Sequence, residues 1–430
     1  MQRLRSGDVG FAEAFVRLVR DRRESDADVA IDVAAILRDV RVRGDAALAE
    51  LTERFDRHRL ASEADWRVPA EDCAAAYAAL APDLREALEL AAERIRAYHA
   101  AQLPEDRDYT DAAGVRLGAR WRAVDAAGLY VPGGRAAYPS SLLMNAIPAK
   151  VAGVGRLVVV TPTPGGVSDP LVLAAAHLAG VDEVWRVGGA QAVAALAYGT
   201  ERIEPVDVVT GPGNAWVAEA KRQLYGVVGI DMVAGPSEIL VIADAANDPD
   251  WIAADLLSQA EHDPAAQAIL ITDDPAFADA VVAAVDATLA RLASGPTAGE
   301  SWRQHGTIIE VASLAEAPAL ANALAAEHVE LAVADPAPMM DAIRHAGSIF
   351  LGRMTPEAVG DYVAGPNHVL PTGRRARFAS GLSVLDFMKR TSFIKLGEPA
   401  LRAIGPAAVA LAEAEGLPAH ARSVALRLAR

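Results

Sequence analysis

Apolar and polar positions follow two different patterns along the chain, one before and one after about residue 128. Over residues 25–101 apolar residues recur at helical spacing among Arg and Glu, most clearly over 83–100, so this part is predicted to be mainly helical. After residue 128, short β-branched runs alternate with Ala-rich stretches, which predicts parallel α/β structure. The predicted strands cover residues 157–161, 183–187, 207–210, 239–243, 268–272, 307–311 and 329–333.

The predicted strands are almost continuously apolar, so helices should cover both faces of their sheets. A Gly-Pro turn at residues 234–238 separates the strands into two groups. We therefore expect an α/β protein with two incomplete Rossmann-like parallel-sheet domains and helical N-terminal and C-terminal arms. The expected division is an arm at 1–24, one domain from 25–127 plus 239–385, a second domain at 128–238, and an arm at 386–430. From about Lys389 the sequence is predicted to be helical, with no strand partner.

Composition and charge exclude several classes of protein. The chain has 430 residues, a formal net charge of -16 and one cysteine, Cys73, which excludes an intrachain disulfide framework and any cluster of cysteine ligands. The negative charge opposes binding to nucleic acid. The N-terminus lacks a signal-peptide pattern, and no run of about 18 uncharged apolar residues predicts a membrane span. We therefore expect a soluble, cytoplasmic protein.

Two Gly-rich turns each follow a predicted strand and precede a predicted helix. Residues 211–214 (GPGN) lead into the helical run 215–224. Such a turn lets the backbone approach a pyrophosphate, although Trp216 replaces the third glycine of the dinucleotide fingerprint. The turn is equally typical of a tight connection between a strand and a helix. Residues 187–191 (VGGAQ) have the same context, which favours a ligand cleft at the C-terminal ends of the strands.

A polar pair marks the end of the predicted helix at residues 251–261. Gln259 and His262 are three residues apart, so both project from one face of a helix, as metal ligands or substrate contacts would. Asp361 and His420 add oxygen and nitrogen donors without any thiolate, a set that suits zinc or manganese. The alternative is a polar helix end with a histidine that interacts favourably with the helix dipole.

Glu327 and His328 lie at the junction of a predicted helix and the strand at 329–333. A carboxylic acid beside an imidazole provides two groups for proton transfer near neutral pH. Neighbouring residues in a strand point to opposite faces, however, so the two can share a site only if the chain turns there. A solvated helix end is the alternative interpretation.

Several segments, taken in order, resemble motifs of the histidinol dehydrogenases, and the resemblance runs from about residue 25 to the end. The matching segments are 128–135 (GLYVPGGR), 138–145 (YPSSLLMN), 148–154 (PAKVAGV), 211–221 (GPGNAWVAEAK), 229–238 (GIDMVAGPSE), 255–263 (DLLSQAEHD), 327–331 (EHVEL), 364–372 (AGPNHVLPT) and 415–420 (EGLPAH).

The resemblance implies oxidation of L-histidinol to L-histidine through L-histidinaldehyde with two NAD, the last step of histidine biosynthesis. It also implies that 128–238 binds NAD, that the metal and acid–base residues lie in the other domain, and that one Zn2+ binds per subunit. In a homodimer, Glu415 and His420 would cross the interface. The implied NAD contacts are Tyr130, Gln191 and Asn214; the zinc ligands are Gln259, His262, Asp361 and His420; the substrate contacts are Ser237, Gln259, His262, His328, Asp361, Glu415 and His420.

In the implied mechanism, His328 is the base in both oxidations and Glu327 activates the water that attacks the aldehyde. Two alternatives stay open: an alcohol dehydrogenase for another amino alcohol or diol, and a zinc protein that either lacks catalysis or hydrolyses with Glu327 as base. His368 lies in a matching motif, but we expect it to stabilise a turn.

Overall fold

The computed structural model describes residues 1–21, 29–133 and 138–429. Residues 22–24 of the predicted N-terminal arm, and Gly134 and Arg135 of a matching motif, lie outside the described residues. The strands are β1 (Gln2–Arg5), β2 (Arg67–Val68), β3 (Arg107–Thr110), β4 (Arg116–Ala123), β5 (Ala126–Tyr130), β6 (Arg156–Val160), β7 (Glu183–Trp185), β8 (Val208–Thr210), β9 (Gly229–Ile230), β10 (Glu238–Ala243), β11 (Gln267–Thr272), β12 (Thr307–Glu310), β13 (His328–Ala332), β14 (Ser348–Leu351) and β15 (Met388–Lys395).

Helices connect and cover these strands, and within the described residues no helix is long and apolar enough to cross a membrane. The helices are α1 (Phe11–Arg20), α2 (Ala30–Arg43), α3 (Asp45–Asp56), α4 (Glu63–Trp66), α5 (Ala70–Ala78), α6 (Pro82–Ala100), α7 (Pro139–Ala152), α8 (Pro170–Ala179), α9 (Gly189–Tyr198), α10 (Ala215–Leu224), α11 (Pro249–Ala260), α12 (Pro275–Leu289), α13 (Gly295–His305), α14 (Ala317–Leu324), α15 (Ala337–Ala342), α16 (Glu357–Tyr362), α17 (Glu398–Ala414) and α18 (Pro418–Leu428).

Two six-stranded sheets form the centre of the molecule, as the alternating pattern predicted. Sheet I has the order β1-β12-β11-β10-β13-β14 and sheet II the order β2-β7-β6-β5-β8-β9. Sheet I is parallel throughout, and in sheet II only the pairing of β2 with β7 is antiparallel. Apart from the edge strands β1 and β2, the chain enters each sheet at a central strand (β10 or β5), builds outward on one side and then crosses to the other. This is the doubly wound order of Rossmann-like folds, with a switch point at β10/β13 and at β5/β8.

The N-terminal arm is not only helical. Residues Gln2–Arg5 form β1, which pairs in parallel with β12 at the edge of sheet I. Phe15 and Leu18 of α1 are buried in the same apolar cluster as Leu240. The four-residue strand has one buried side chain, Leu4, which is too weak a pattern to distinguish from the helix that follows.

The helices of residues 29–100 cover sheet II, whereas the sequence division grouped residues 25–127 with sheet I. Helices α2 and α3 pack on α9, α5 packs on α8, and α6 packs on α7. Their apolar faces were readable from the sequence, but a helical pattern does not say which sheet the face covers. β5 begins at Ala126, before the expected boundary at 128, because its sequence AAGLY has no β-branched residue.

The C-terminal arm is helical only after a strand. β15 pairs antiparallel with β4 from Met388↔Ala123 to Lys395↔Arg116, so the prediction of a helix without a strand partner from Lys389 is wrong. The strand is largely exposed on both faces, and therefore lacks the apolar alternation that marks a half-buried strand. The following helices, α17 and α18, pack on each other as a helical hairpin, which confirms the helical part of the arm.

A buried ion pair holds the start of two sheet I strands. The Arg374 side chain donates hydrogen bonds to Glu238 Oε1 at 2.9 Å and to Gln267 Oε1 at 2.7 Å. Arg374 and Glu238 are 3% and 1% exposed. The pair thus fixes the loop before the 3-10 turn Arg375–Arg377 against the first residues of β10 and β11.

Removing one member of this pair should cost far more than removing an exposed pair. We expect Arg374→Met to lower the free energy of unfolding by about 3–5 kcal/mol, because the carboxylate of Glu238 would stay buried without its partner. Arg402→Met, in the exposed pair with Glu398, should cost less than about 1 kcal/mol. Chemical denaturation measures both.

The double variant Arg374→Met/Glu238→Gln provides the control. It should be less destabilised than the sum of the two single variants, because it leaves no unpaired charge. Additive losses would contradict the coupling.

Candidate active site

The backbone of one residue, Glu238, positions both acid–base residues. β10 and β13 pair in parallel with Ile239 opposite His328. The backbone N–H of Glu238 donates to Glu327 Oε2 at 3.0 Å, and the carbonyl oxygen of Glu238 is 3.1 Å from His328 Nδ1. The chain turns just before them, because Ala325 has φ 49° and ends α14 in the left-handed region. The condition under which Glu327 and His328 can share a site is therefore met.

The His328 imidazole is oriented for proton acceptance. Its side chain is 4% exposed, and Nδ1 donates to the carbonyl of Glu238, which leaves the Nε2 lone pair free. Nε2 is buried and has no hydrogen-bond partner among the described residues. Burial lowers the pKa of His328 more than the nearby Glu357 carboxylate raises it. The ring is thus neutral at pH 7 and able to take a proton.

Glu327 lies in the same buried region. Burial raises the pKa of Glu327 well above its ordinary value, against the hydrogen bond from the Glu238 N–H, and the Asp361 and Glu357 carboxylates raise it further. Its Oε2 is 3.8 Å from His328 Nδ1. A positive charge nearby would lower this pKa and favour the carboxylate.

A carboxylate cluster lies on the other side of His328. His328 Nε2 is 3.6 Å from Glu357 Oε1 and 3.8 Å from Asp361 Oδ1, and potential ligand atoms of the three residues all lie within 4.8 Å of one another. Burial and the neighbouring Glu357 raise the pKa of Asp361 to about 8. Sequence reasoning missed Glu357. Its spacing of four from Asp361, one helical turn on α16, was the available signal.

Several buried polar atoms of this region have no partner within the described part of the chain: Gln259 Oε1, Glu357 Oε1 and His328 Nε2. Buried donors and acceptors are normally paired, so unpaired oxygen and nitrogen atoms among carboxylates fit a bound cation. His262 follows α11 and is exposed. Its charge lowers the pKa of both His328 and His368, so its ring lies near the same region. Half-buried Ser237 immediately precedes β10.

His368 belongs to the same cluster and does more than stabilise a turn. Its Nδ1 is 2.9 Å from the carbonyl oxygen of Asp361, and its Nε2 is 3.3 Å from Ser141 Oγ on α7. Burial lowers the pKa of His368 to about 4. The His368 imidazole therefore links the metal-ligand candidate Asp361 to α7, the helix that connects β5 and β6 of sheet II.

The two predicted site residues of the C-terminal arm are not part of this cluster. Glu415 follows α17 and His420 lies in α18, and both are exposed. Among the described residues, neither side chain makes a hydrogen bond or ion pair within this chain. The cluster of Gln259, His328 and Asp361 thus forms without them.

The predicted dinucleotide contacts do converge. Tyr130, Gln191 and Asn214 line one cavity of about 430 Å³, at the C-terminal ends of β5 and β8. The buried Tyr130 hydroxyl accepts a hydrogen bond from the Gly189 N–H at 3.0 Å, and burial raises the pKa of Tyr130 to about 12. Asn214 Oδ1 caps α10, which leaves its amide nitrogen able to donate to a ligand.

The first glycine of the GPGN turn has an internal role. Gly211 has φ 113°, and a Cβ there would collide with the carbonyl oxygen of Tyr130. Buried Lys221 forms an ion pair with Asp231, and its Nζ donates to the Gly211 carbonyl at 3.0 Å. The Gly211 N–H donates to Asp231 Oδ2 at 2.9 Å. The tight-turn interpretation explains Gly211, and the turn also borders the cavity through Asn214.

Comparisons with known proteins agree along the whole chain. The family model described as histidinol dehydrogenase matches residues 19–428. The histidinol dehydrogenase of Zymomonas mobilis is 63% identical over 426 residues, with 99% of each chain covered, and that of Rhodospirillum rubrum is 63% identical over 429 residues, covering 100% of this chain and 99% of the relative. The crystal structure of histidinol dehydrogenase from Elizabethkingia anophelis has a TM-score of 0.94 at 36% identity and covers 100% of this chain and 98% of its own.

The family model, the curated relatives and the solved structure identify one family, and they do so over nearly the full length of every chain compared. This chain therefore belongs to the histidinol dehydrogenase family.

Proposed function

We propose that the chain oxidises L-histidinol to L-histidine through L-histidinaldehyde, using two NAD, as the last step of histidine biosynthesis. The observation that carries the proposal is the hydrogen bonding of Glu327 and His328 to the backbone of one buried residue, Glu238, beside unpaired oxygen and nitrogen atoms. Family membership and the names of the curated relatives support the same reaction.

One Zn2+ per subunit would be held by Gln259, His262, Asp361 and His420 of the partner subunit. The unpaired Gln259 Oε1 and the raised pKa of Asp361 support this set, because both side chains gain from a nearby cation. Bound zinc would orient the amine and imidazole nitrogens of the substrate. Glu357 would contribute further negative charge beside the ion without being one of the four proposed ligands.

In the first oxidation, His328 Nε2 takes the proton of the primary alcohol. Hydrogen bonding of Nδ1 to Glu238 keeps the ring in the required tautomer, and burial keeps it neutral beforehand. The hydride of the alcohol carbon passes to NAD, which is held by Tyr130, Gln191 and Asn214. Ser237 and Glu415 of the partner subunit contact the substrate.

In the second oxidation, Glu327 takes a proton from the water that attacks the aldehyde. A cation held by the proposed ligands would lower the pKa of Glu327 from its raised value and favour the carboxylate. His328 is again the base as the second hydride leaves. Because both groups are fixed by the backbone of Glu238, the two steps would use one site without rearrangement of the chain.

A homodimer would complete each site with the arm of the other subunit. The exposed position of Glu415 and His420 supports this arrangement. Large apolar side chains of the same arm are also exposed, including Leu411 at 65% and Leu426 at 56%, and these would be covered by a partner. The cytoplasmic location and the lack of nucleic-acid binding stay predictions.

The first test is formation of NADH from L-histidinol and NAD by the purified protein. We expect about two NADH per histidinol, with activity lost on chelation and regained with zinc. Absorbance at the NADH band and metal analysis of the same sample measure this. A folded, zinc-loaded dimer that makes no NADH would move the substrate to another amino alcohol or diol.

Two substitutions separate the oxidations. His328→Asn should lower both by about 10²–10⁴-fold, because each needs the base. Glu327→Gln should lower oxidation of histidinaldehyde by a similar factor and spare the alcohol step. Rapid-mixing kinetics with each substrate measures the two steps, and zinc content and melting temperature control for folding. Equal losses with both substrates in Glu327→Gln would contradict its assignment to the second step.

Complementation tests the shared site. His328→Asn and His420→Asn should each be inactive as homodimers. After random reassembly of equal amounts, about one quarter of wild-type activity should return, because half the dimers are mixed and each mixed dimer has one intact site. If each arm served its own subunit, mixing would restore no activity.

A further inference from the structure

The Rossmann-like order of sheet II raises the question of which residue receives the adenosine ribose. In such folds an acidic residue about twenty positions after the glycine turn, at the end of the second strand, accepts hydrogen bonds from the ribose hydroxyls. The second strand here is β6. It is followed by Thr-Pro-Thr-Pro at residues 161–164, which provides no carboxylate. Counted from the GPGN turn instead, the acidic residue about twenty positions on is Asp231, directly after β9, and it is already paired with Lys221 and the Gly211 N–H. Neither position therefore offers an unpaired carboxylate to the ribose.

A carboxylate reaches the same cavity from outside sheet II. Asp56 is the last residue of α3 and lines the cavity of about 430 Å³ together with Tyr130, Gln191 and Asn214. Its Oδ2 is shielded from solvent and has no hydrogen-bond partner within residues 1–21, 29–133 and 138–429. A buried acceptor without a donor is costly, so a ligand hydroxyl would satisfy it.

The charges around Asp56 favour a hydroxyl over a phosphate. The negative charge of Asp56 raises the pKa of Tyr130, so the two side chains lie close together. Burial raises the pKa of Asp56 itself, partly offset by His58. The described residues that line the cavity include no lysine or arginine. A 2′-phosphate here would meet a carboxylate without a neutralising cation from the lining.

The position of α3 distinguishes the two ends of the dinucleotide. α3 packs against α2 and α9 in the outer layer of sheet II, whereas Glu327 and His328 lie on sheet I. Because the nicotinamide must reach the alcohol at His328, the α3 side of the cavity suits the adenosine end.

We propose that Asp56 accepts hydrogen bonds from the adenosine ribose of NAD and selects NAD over NADP by excluding the 2′-phosphate. The inference rests on the proposed use of NAD. The choice between NAD and NADP would then depend on Asp56 at the end of α3, which lies outside the strands and glycine turns of sheet II.

Fluorescence titration of the zinc-loaded protein with NADH, NADPH and the 2′-deoxyadenosine analogue of NADH tests the proposal without turnover. Wild-type protein should bind NADH at least about tenfold more tightly than either of the other two. Asp56→Asn should lower both ratios to near one, mainly through weaker NADH binding and, against NADPH, relief of repulsion. Asp56→Ser should do the same and provides a second variant if the first does not fold.

Glu53→Gln is the matched control, since it removes one exposed carboxylate from the same helix and should leave both ratios unchanged. Unchanged ratios in both Asp56 variants, with NADH still bound and histidinol still oxidised, would overturn the role of Asp56 alone. If wild-type protein bound neither NADH nor NADPH, the proposed use of NAD and this inference would fall together.

Discussion

The parallel pairing of β10 with β13 is the constraint on which the active site depends. Its register brings the peptide of Glu238 against Glu327 and His328, so one backbone N–H and one carbonyl oxygen orient the two groups. The side chain of Glu238 is in turn fixed by buried Arg374. A shift of the pairing by one residue would turn the side chains of β13 to the opposite faces of the sheet and move Glu327 and His328 away from the backbone of Glu238. The precision of the site thus derives from backbone pairing in the core, which is more rigid than a loop.

The candidate functional residues lie at opposite strand ends in the two sheets. In sheet II the cavity lies at the C-terminal ends of the strands, where doubly wound folds normally bind ligands. In sheet I the acid–base residues lie at the N-terminal ends of β10 and β13. The contact between His368 and Ser141 connects the two regions through α7. The acid–base residues and the cavity thus belong to different sheets, and the His368–Ser141 contact links elements of both.

Sequence reasoning predicted the sheet strands best where they are buried and rich in β-branched residues, and it failed where the strand is exposed or lacks such residues. All seven predicted strands exist, shifted by at most two residues at either end. It missed β15 because that strand is exposed, and β5 because small residues and glycine give no strand pattern. It identified Gln259, Glu327 and Asp361, whose residue types and neighbours carried a chemical pattern. It missed Glu357 although Glu357 lies one helical turn before Asp361 on α16, and it undervalued His368 because the contacts of His368 with Asp361 and Ser141 are tertiary.

The same burial that prepares the site makes it costly to form. Glu327, Glu357 and Asp361 lie near one another, and burial holds the pKa of Glu327 and of Asp361 above ordinary values. Without a cation, protons must reduce the charge, and a protonated carboxyl group cannot activate water. A cation bound among Gln259, Asp361 and the neighbouring groups would replace those protons and restore the carboxylate of Glu327. Metal binding at these residues would therefore be linked to proton release from the buried carboxyl groups.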